Sequence, residues 1–181
     1  MKKIKLFIGI AGKISSGKST IAHFIADTYA MPYTSSGEYL KQYCLLNGLS
    51  VERKTLQDLG QKFVDEDPKV FFQNIVFSQG EQDYIVFDSI RHTAGIDFIK
   101  EISDKSILVY IDVDDKIRYE RYCKRQKEGD IVKEFKEFLE TDNHPTEKEI
   151  DEVKKYADLI IYAGDDYKKI ISEYFANNKL I

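Results

Sequence analysis

Residues 12–20 of this chain read GKISSGKST. They match G-x-x-x-x-G-K-[ST], a loop whose backbone wraps a phosphate group. Such a loop works only between a buried strand and a helix N-terminus, so its flanks must agree with it. Upstream, residues 4–10 are apolar and β-branched apart from Lys5 and Gly9, as a buried strand requires. Downstream, Ile21, Ala22, Phe24 and Ile25 recur at helical spacing. The segment therefore predicts strand, loop and helix in that order.

The chemistry follows from the spacing. Gly12 and Gly17 permit positive φ and close approach to a ligand. The backbone N–H groups between them, those of Lys13, Ser15 and Ser16 included, then face inward as an anion nest. The helix N-terminus adds unsatisfied donors and a favourable dipole. Lys18 is expected to reach the β- and γ-phosphates of ATP, and the Ser19 hydroxyl to ligate Mg²⁺. Thr20 is expected near the α-phosphate.

Bulk composition narrows the class. With 181 residues, 43% hydrophobic and 32% charged, the chain suits one globular domain with a sizeable core. Its net charge of −4 argues against a nucleic-acid partner, because nucleic-acid-binding domains are usually basic. Cations for a phosphorylated ligand must then be gathered locally. Cys44 and Cys123 are too few for a disulfide framework and read as reduced, partly buried residues of a cytoplasmic protein. His23, His92 and His144 lack metal-ligand spacing, and His92 reads as a loop residue. Lys2 and Lys3 before an apolar run imitate a leader, but Lys5 and Lys13 interrupt the run and it reads as the first strand. No membrane span is expected. The partners expected are small-molecule nucleotides, in a monomer or homodimer.

Further along, 29–34 predicts a turn and a short strand. Ser35 or Ser36 can cap a helix to about Leu46, and Ser50 the next, with Leu56, Leu59, Phe63 and Val64 inward. Pro68 opens another, with Val70, Phe71, Ile75 and Val76 inward. Residues 84–87, 106–111 and 158–162 predict strands, the first two ending before Asp88 and Asp112. Thr93 can cap the helix carrying Ile96, Phe98, Ile99 and Ile102. A basic helix is expected over 115–127, then a short amphipathic one carrying Phe135, Phe138 and Leu139. Thr146 and Glu149 fit a capping box. Asp165 or Asp166 can cap a final helix. Strands alternating with helices predict an α/β doubly wound parallel sheet of about five strands.

Weaker motifs surround the loop. Asp88 to Arg91 (DSIR) follows a strand, at the sheet edge where ligands of such folds bind. Asp88 is placed to hold Mg²⁺ through water or to take a proton from an attacking hydroxyl. Arg91 can fork onto an acceptor phosphate. Arg118, Arg121 and Arg125 share a helix face, and Arg121 and Arg125 are the candidates for stabilising a phosphoryl group in transfer. A solvated face paired with Glu120 and Glu128 is the alternative. Lys41, Arg53 and Gln57 can contact an acceptor, and Gln57 a base edge. Tyr39, Tyr43, Phe71 and Phe72 suit either a base sandwich or a core. Gly164 can flank the donor adenine.

This order of motifs resembles the P-loop nucleoside monophosphate kinases. Ser35 to Lys41 (SSGEYLK) is similar to the segment that begins their acceptor-binding helices, with Lys41 where arginine is usual. DSIR is similar to their Asp-Gly-Phe-Pro-Arg, one residue shorter. Arg53 to Gly60 (RKTLQDLG) is similar to a segment of phage-type deoxynucleoside monophosphate kinases. Arg118 to Arg125 with Tyr156-Ala157-Asp158 resembles dephospho-coenzyme A kinases. The resemblance implies one domain over 1–181, with an acceptor-binding helical insertion at about 35–80 and a short helical lid at about 124–145. It implies ATP- and Mg²⁺-dependent transfer of the γ-phosphate to a (deoxy)nucleoside monophosphate. Acceptor contacts would come from Ser36, Lys41, Arg53, Gln57 and Arg91, catalysis from Lys18, Asp88, Arg91, Arg121 and Arg125, and metal ligation from Ser19 and Asp88. Transfer to the 3′-hydroxyl of dephospho-coenzyme A, and an ATP-binding regulatory module without kinase activity, remain open beside it.

Overall fold

A computed structural model describes residues 2–78, 80–125 and 134–180, apart from the side chains of Arg125 and Thr146. The chain builds a five-stranded, all-parallel sheet in the order β2-β3-β1-β4-β5. The strands are β1 (Ile4–Ala11), β2 (Tyr33–Ser35), β3 (Tyr84–Ile90), β4 (Ser103–Asp112) and β5 (Leu159–Tyr162). β1 lies in the middle and is buried everywhere but Lys5, as its apolar run dictates.

Alternation along β1 splits the core in two. Phe7 and Ala11 face one layer, which contains α2 (Ser36–Leu46), α4 (Pro68–Val76) and α5 (Thr93–Ile102). Leu6, Ile8 and Ile10 face the other, with α1 (Lys18–Thr28) and α9 (Tyr167–Asn177). The aromatics Tyr39, Phe71 and Phe72 belong to the first layer, where rings meet at 5.4–6.1 Å, and Tyr43 packs edge-on against Phe63. Phe71 and Phe72 are core residues and Tyr39 packs against them, so these rings form no base sandwich.

The helix starts choose between the expected caps and in places depart from them. Ser35, not Ser36, caps α2 by accepting the Glu38 N–H. The Ser50 hydroxyl accepts the Glu52 N–H ahead of α3 (Arg53–Glu66), whose own N-cap is Glu52. Asp67 caps α4 with Pro68 at its first turn, but Val70 on that helix is exposed. His92 rather than Thr93 sits at the N-cap of α5, and the Glu149 carboxylate receives the Thr93 N–H and hydroxyl instead. That diverts Glu149 from a capping box; α8 (Ile150–Lys154) begins behind a 3-10 turn, Pro145–Glu147. Asp166 caps α9, while Asp165 accepts the Tyr162 N–H. β4 starts three residues earlier than the apolar run, directly at the end of α5.

A third, smaller cluster joins the phosphate-binding loop to the two helices after β4. Ile14 of the loop is buried against Tyr122 of α6 (Asp115–Arg125) and Phe138 of α7 (Phe135–Asp142). Residues 126–133, within the span read as a lid, lie outside the described residues. Cys44 is buried and Cys123 exposed, and both are free thiols. Among the described residues no helix is long and apolar enough to cross a membrane.

Candidate active site

All five strands deliver their carboxyl ends to one edge, where Ser35 aligns with Asp88 and Asp88 with Ile10. The register then slips: Ala11 pairs with Ile90, so Ser89 is left over, with φ of 80°. A bulge of this kind re-aims the neighbouring side chain. Asp88, 2% exposed, accepts the Ser19 hydroxyl at 2.6 Å, the Tyr33 phenol at 3.3 Å and the Ser89 hydroxyl at 3.1 Å. Burial, then the nearby Asp88 carboxylate, push the Tyr33 phenol above its ordinary pKa, so it stays a donor.

The loop takes positive φ at Gly12 (142°), Ser15 (61°) and Gly17 (106°). A Cβ on Gly12 would stand 2.6 Å from the Ile111 carbonyl oxygen, so only glycine fits there. Ser15 was not predicted to adopt this conformation, which is strained for a residue with a Cβ and marks the nest. Lys18 is 7% exposed and donates to the Lys13 carbonyl at 2.9 Å, curling the ammonium back over the loop. The Lys13 ammonium turns away to Asp151 at 3.1 Å, which leaves only its backbone to the nest. The hydroxyls of Ser15 and Ser16 are buried and have no hydrogen-bond partner among the described residues. Buried hydroxyls normally find partners, and two orphaned donors beside an anion nest fit phosphate oxygens. The Ser19 hydroxyl and Asp88 carboxylate, both oxygen donors 2.6 Å apart, fit a hard cation such as Mg²⁺. No cluster of three His, Cys, Asp or Glu stands ready to chelate a metal by itself among the described residues, so the remaining ligands would be phosphate oxygens and water.

The loop separates two cavities. One, of about 340 Å³, contains Ser16, Gly17, Thr20, Arg121 and Gly164, with Tyr162 and Tyr167 at its wall. Gly164 has φ of 91° there. The other, of about 380 Å³, contains Lys18, Ser19, Asp88, Arg91, Ser36, Lys41, Arg53 and Gln57. Most of the predicted residues thus divide between the two cavities, while Gly12 and Lys13 line neither.

Their detailed settings differ. Arg121 donates to the Ser16 carbonyl at 2.7 Å, which lays its guanidinium over the loop. Arg118, grouped with it by helical spacing, is 0% exposed and points elsewhere: it forks onto Asp142 at 2.7 Å twice, and also donates to Asp115 and to the Ile14 carbonyl. The side chain of Arg125 lies outside the described residues. Arg53 stacks 5.7 Å over the Tyr122 ring. Gln57 is buried and donates to the Thr141 carbonyl of α7 at 3.4 Å, so its amide nitrogen is turned to the protein. Arg91 sits 3.3 Å from the buried Glu147. His92 is buried rather than in an open loop, and burial lowers its pKa.

Sequence reasoning missed Tyr33 and His23, which stack at 4.2 Å and line the second cavity. An aromatic residue at the tip of the short strand before Ser35 was the available signal. It also missed Glu147, for which no local pattern exists.

The AAA-domain family matches residues 8–156 of this chain, and the chain belongs to that family. Among curated protein sequences none matches. Solved structures share the fold over nearly all of both chains at low identity. Shikimate kinase from Aquifex aeolicus aligns at 15% identity over 96% of each chain, with a TM-score of 0.58. Shikimate kinase from Acinetobacter baumannii, in complex with shikimate, aligns at 13% identity over 98% of this chain and 94% of that one, with a TM-score of 0.62. A gluconokinase from Sinorhizobium meliloti aligns at 16% identity over 97% and 92%, with a TM-score of 0.54. The architecture is therefore the P-loop kinase fold.

Proposed function

We propose that this protein is an ATP-dependent phosphotransferase that moves the γ-phosphate to a small anionic acceptor, a nucleoside monophosphate. The observation that carries the reading is the pair of cavities divided by the loop, with Lys18, Ser19 and Asp88 at the divide. A protein that only held a nucleotide would need one chamber. In this reading the first cavity takes the donor nucleoside, with Gly164 beside the base. The second takes the acceptor, with Lys41, Arg53 and Arg91 facing its anion and α2 to α4 forming the acceptor-binding region. The segment around α7 acts as the lid.

Phosphoryl transfer asks for position and charge stabilisation more than for covalent help. Ser19 and Asp88 would hold Mg²⁺, which when bound would neutralise phosphate charge. Lys18 offsets charge on the leaving phosphate, and Arg121 does so from across the loop. Asp88 is placed to accept a proton from an attacking hydroxyl. ATP supply argues for a cytoplasmic setting.

A second reading has a small hydroxy-carboxylate as acceptor. It is favoured by the packed state of Tyr39, Phe71 and Phe72, which leaves no sandwich of those rings for a base, and by neighbours named as shikimate kinase and gluconokinase. One assay separates them: ADP release coupled to NADH oxidation, across ribo- and deoxynucleoside monophosphates, dephospho-coenzyme A, shikimate and gluconate. Turnover dependent on a monophosphate is expected. Turnover with the hydroxy-acids alone would replace the first reading by the second, and ADP release indifferent to every acceptor would sink both.

A further inference from the structure

Glu147 is 3% exposed, and neither carboxylate oxygen has a hydrogen bond among the described residues. A buried carboxylate in that state is costly unless a cation compensates it. Its compensation is Arg91, whose Nη1 stands 3.3 Å from Oε1. The Arg91 side chain, 22% exposed, has a buried Nε without a partner among the described residues, and Arg91 lines the second cavity. So a guanidinium reaches the acceptor chamber from one side and is gripped electrostatically from behind. The groups around this pair do not replace the grip. His92, on the same turn as Arg91, is held low in pKa by burial, and Glu149 is engaged by Thr93.

We infer that Glu147 is a positioning residue for the acceptor: it holds the Arg91 guanidinium against the chamber wall, leaving the other terminal nitrogen for an acceptor anion. The contact is a charge contact and not a fork, so Arg91 is steered without being consumed. A fully bidentate pair would take one N–H from each terminal nitrogen and fix the plane of the guanidinium, leaving fewer donors and less freedom for a ligand. Glu147 ends the 3-10 turn Pro145–Glu147 that follows α7 in the chain, so that turn sets the grip on Arg91. This inference rests on the phosphotransferase reading only for its kinetic arm.

Two measurements on the full chain decide it. In the first, Glu147→Gln keeps shape and removes charge; acceptor KM is expected to rise about tenfold while ATP KM and the acceptor-independent ATPase rate stay unchanged. Adding Glu147→Gln to Arg91→Ala is expected to cost nothing further, since the two act as one unit. A purely structural Glu147 would instead lower thermal stability and raise both KM values together. The second measurement needs no activity: phenylglyoxal labels Arg91, located by peptide mass, and the rate is expected to rise about fivefold or more in Glu147→Gln once the grip is gone. Unchanged labelling, or losses that multiply in the double variant, would overturn the inference. If the wild type shows no acceptor-dependent turnover, the phosphotransferase reading falls and the labelling rate alone decides the positioning role.

Discussion

At Asp88, hydroxyls from Ser19, Tyr33 and Ser89 meet one buried carboxylate. A charge so placed is tolerated because each oxygen is satisfied. Asp88→Asn keeps the shape and removes the charge, so ATP-dependent turnover should fall about a hundredfold and the Mg²⁺ requirement should rise, with thermal stability little changed. Initial rates across a Mg²⁺ titration check this. His92 gives a second expectation. Burial depresses its pKa below the ordinary 6.5, so the folded state resists a proton that the unfolded state accepts. The stability this contributes is full above pH 6.5 and declines as pH falls below it, through the lower folded pKa. Melting temperature measured from pH 8 down to pH 5 should drop below about 6.5, and His92→Gln should flatten that drop.

At the scale of elements, α6 presents two arginines in two unlike settings. Arg121 reaches the loop carbonyl of Ser16, while Arg118 turns inward to tie α6 to α7 through Asp142 and to the loop through Ile14. Helical spacing puts both on one face, yet only tertiary neighbours tell them apart. Removing Arg118 strands the Asp142 carboxylate, which is 8% exposed, at the end of α7. Arg118→Ala should therefore lower unfolding free energy by about 3 kcal/mol, read from the urea midpoint, with ATP KM rising through the slackened loop. Arg118→Met, which keeps volume, should lose less. A midpoint unmoved by either change would show that the tie carries no stability. The same ion cluster ties α7 to α6, with Phe138 as the buried residue of an otherwise mostly exposed helix.

Across the whole molecule, the sheet edge is the organiser. Asp88 from β3, the loop from β1 and the turn after β5 meet there because all strands run the same way. Two cavities flank one loop there. A non-hydrolysable ATP analogue with Mg²⁺ at a hundred times its Kd should stabilise the fold by about 2.7 kcal/mol, about 5–10 °C in melting temperature, and Lys18→Ala should abolish the shift. An unchanged shift in Lys18→Ala would remove that side chain from donor binding.

The loop motif, the strand-end Asp88 and the alternation of strands and helices were legible in the sequence because each is a local rule: spacing dictates φ and ψ, and apolar periodicity dictates which face is buried. The strand order 2-3-1-4-5, the bulge that skips Ser89, and the choice between Arg118 and Arg121 were decided by contacts far apart in sequence, Arg118 with Ile14 at a separation of 104 residues and Ser19 with Asp88 at 69. Gln57, Tyr39 and Glu149 show the same divide: their side chains kept the chemistry expected of them, but packing chose their partners. Sequence alone thus determined that this chain would carry a phosphate nest on a parallel sheet. Only the folded arrangement decided which charges face the crevice, because burial and pairing are properties of neighbours in space, which no local pattern records.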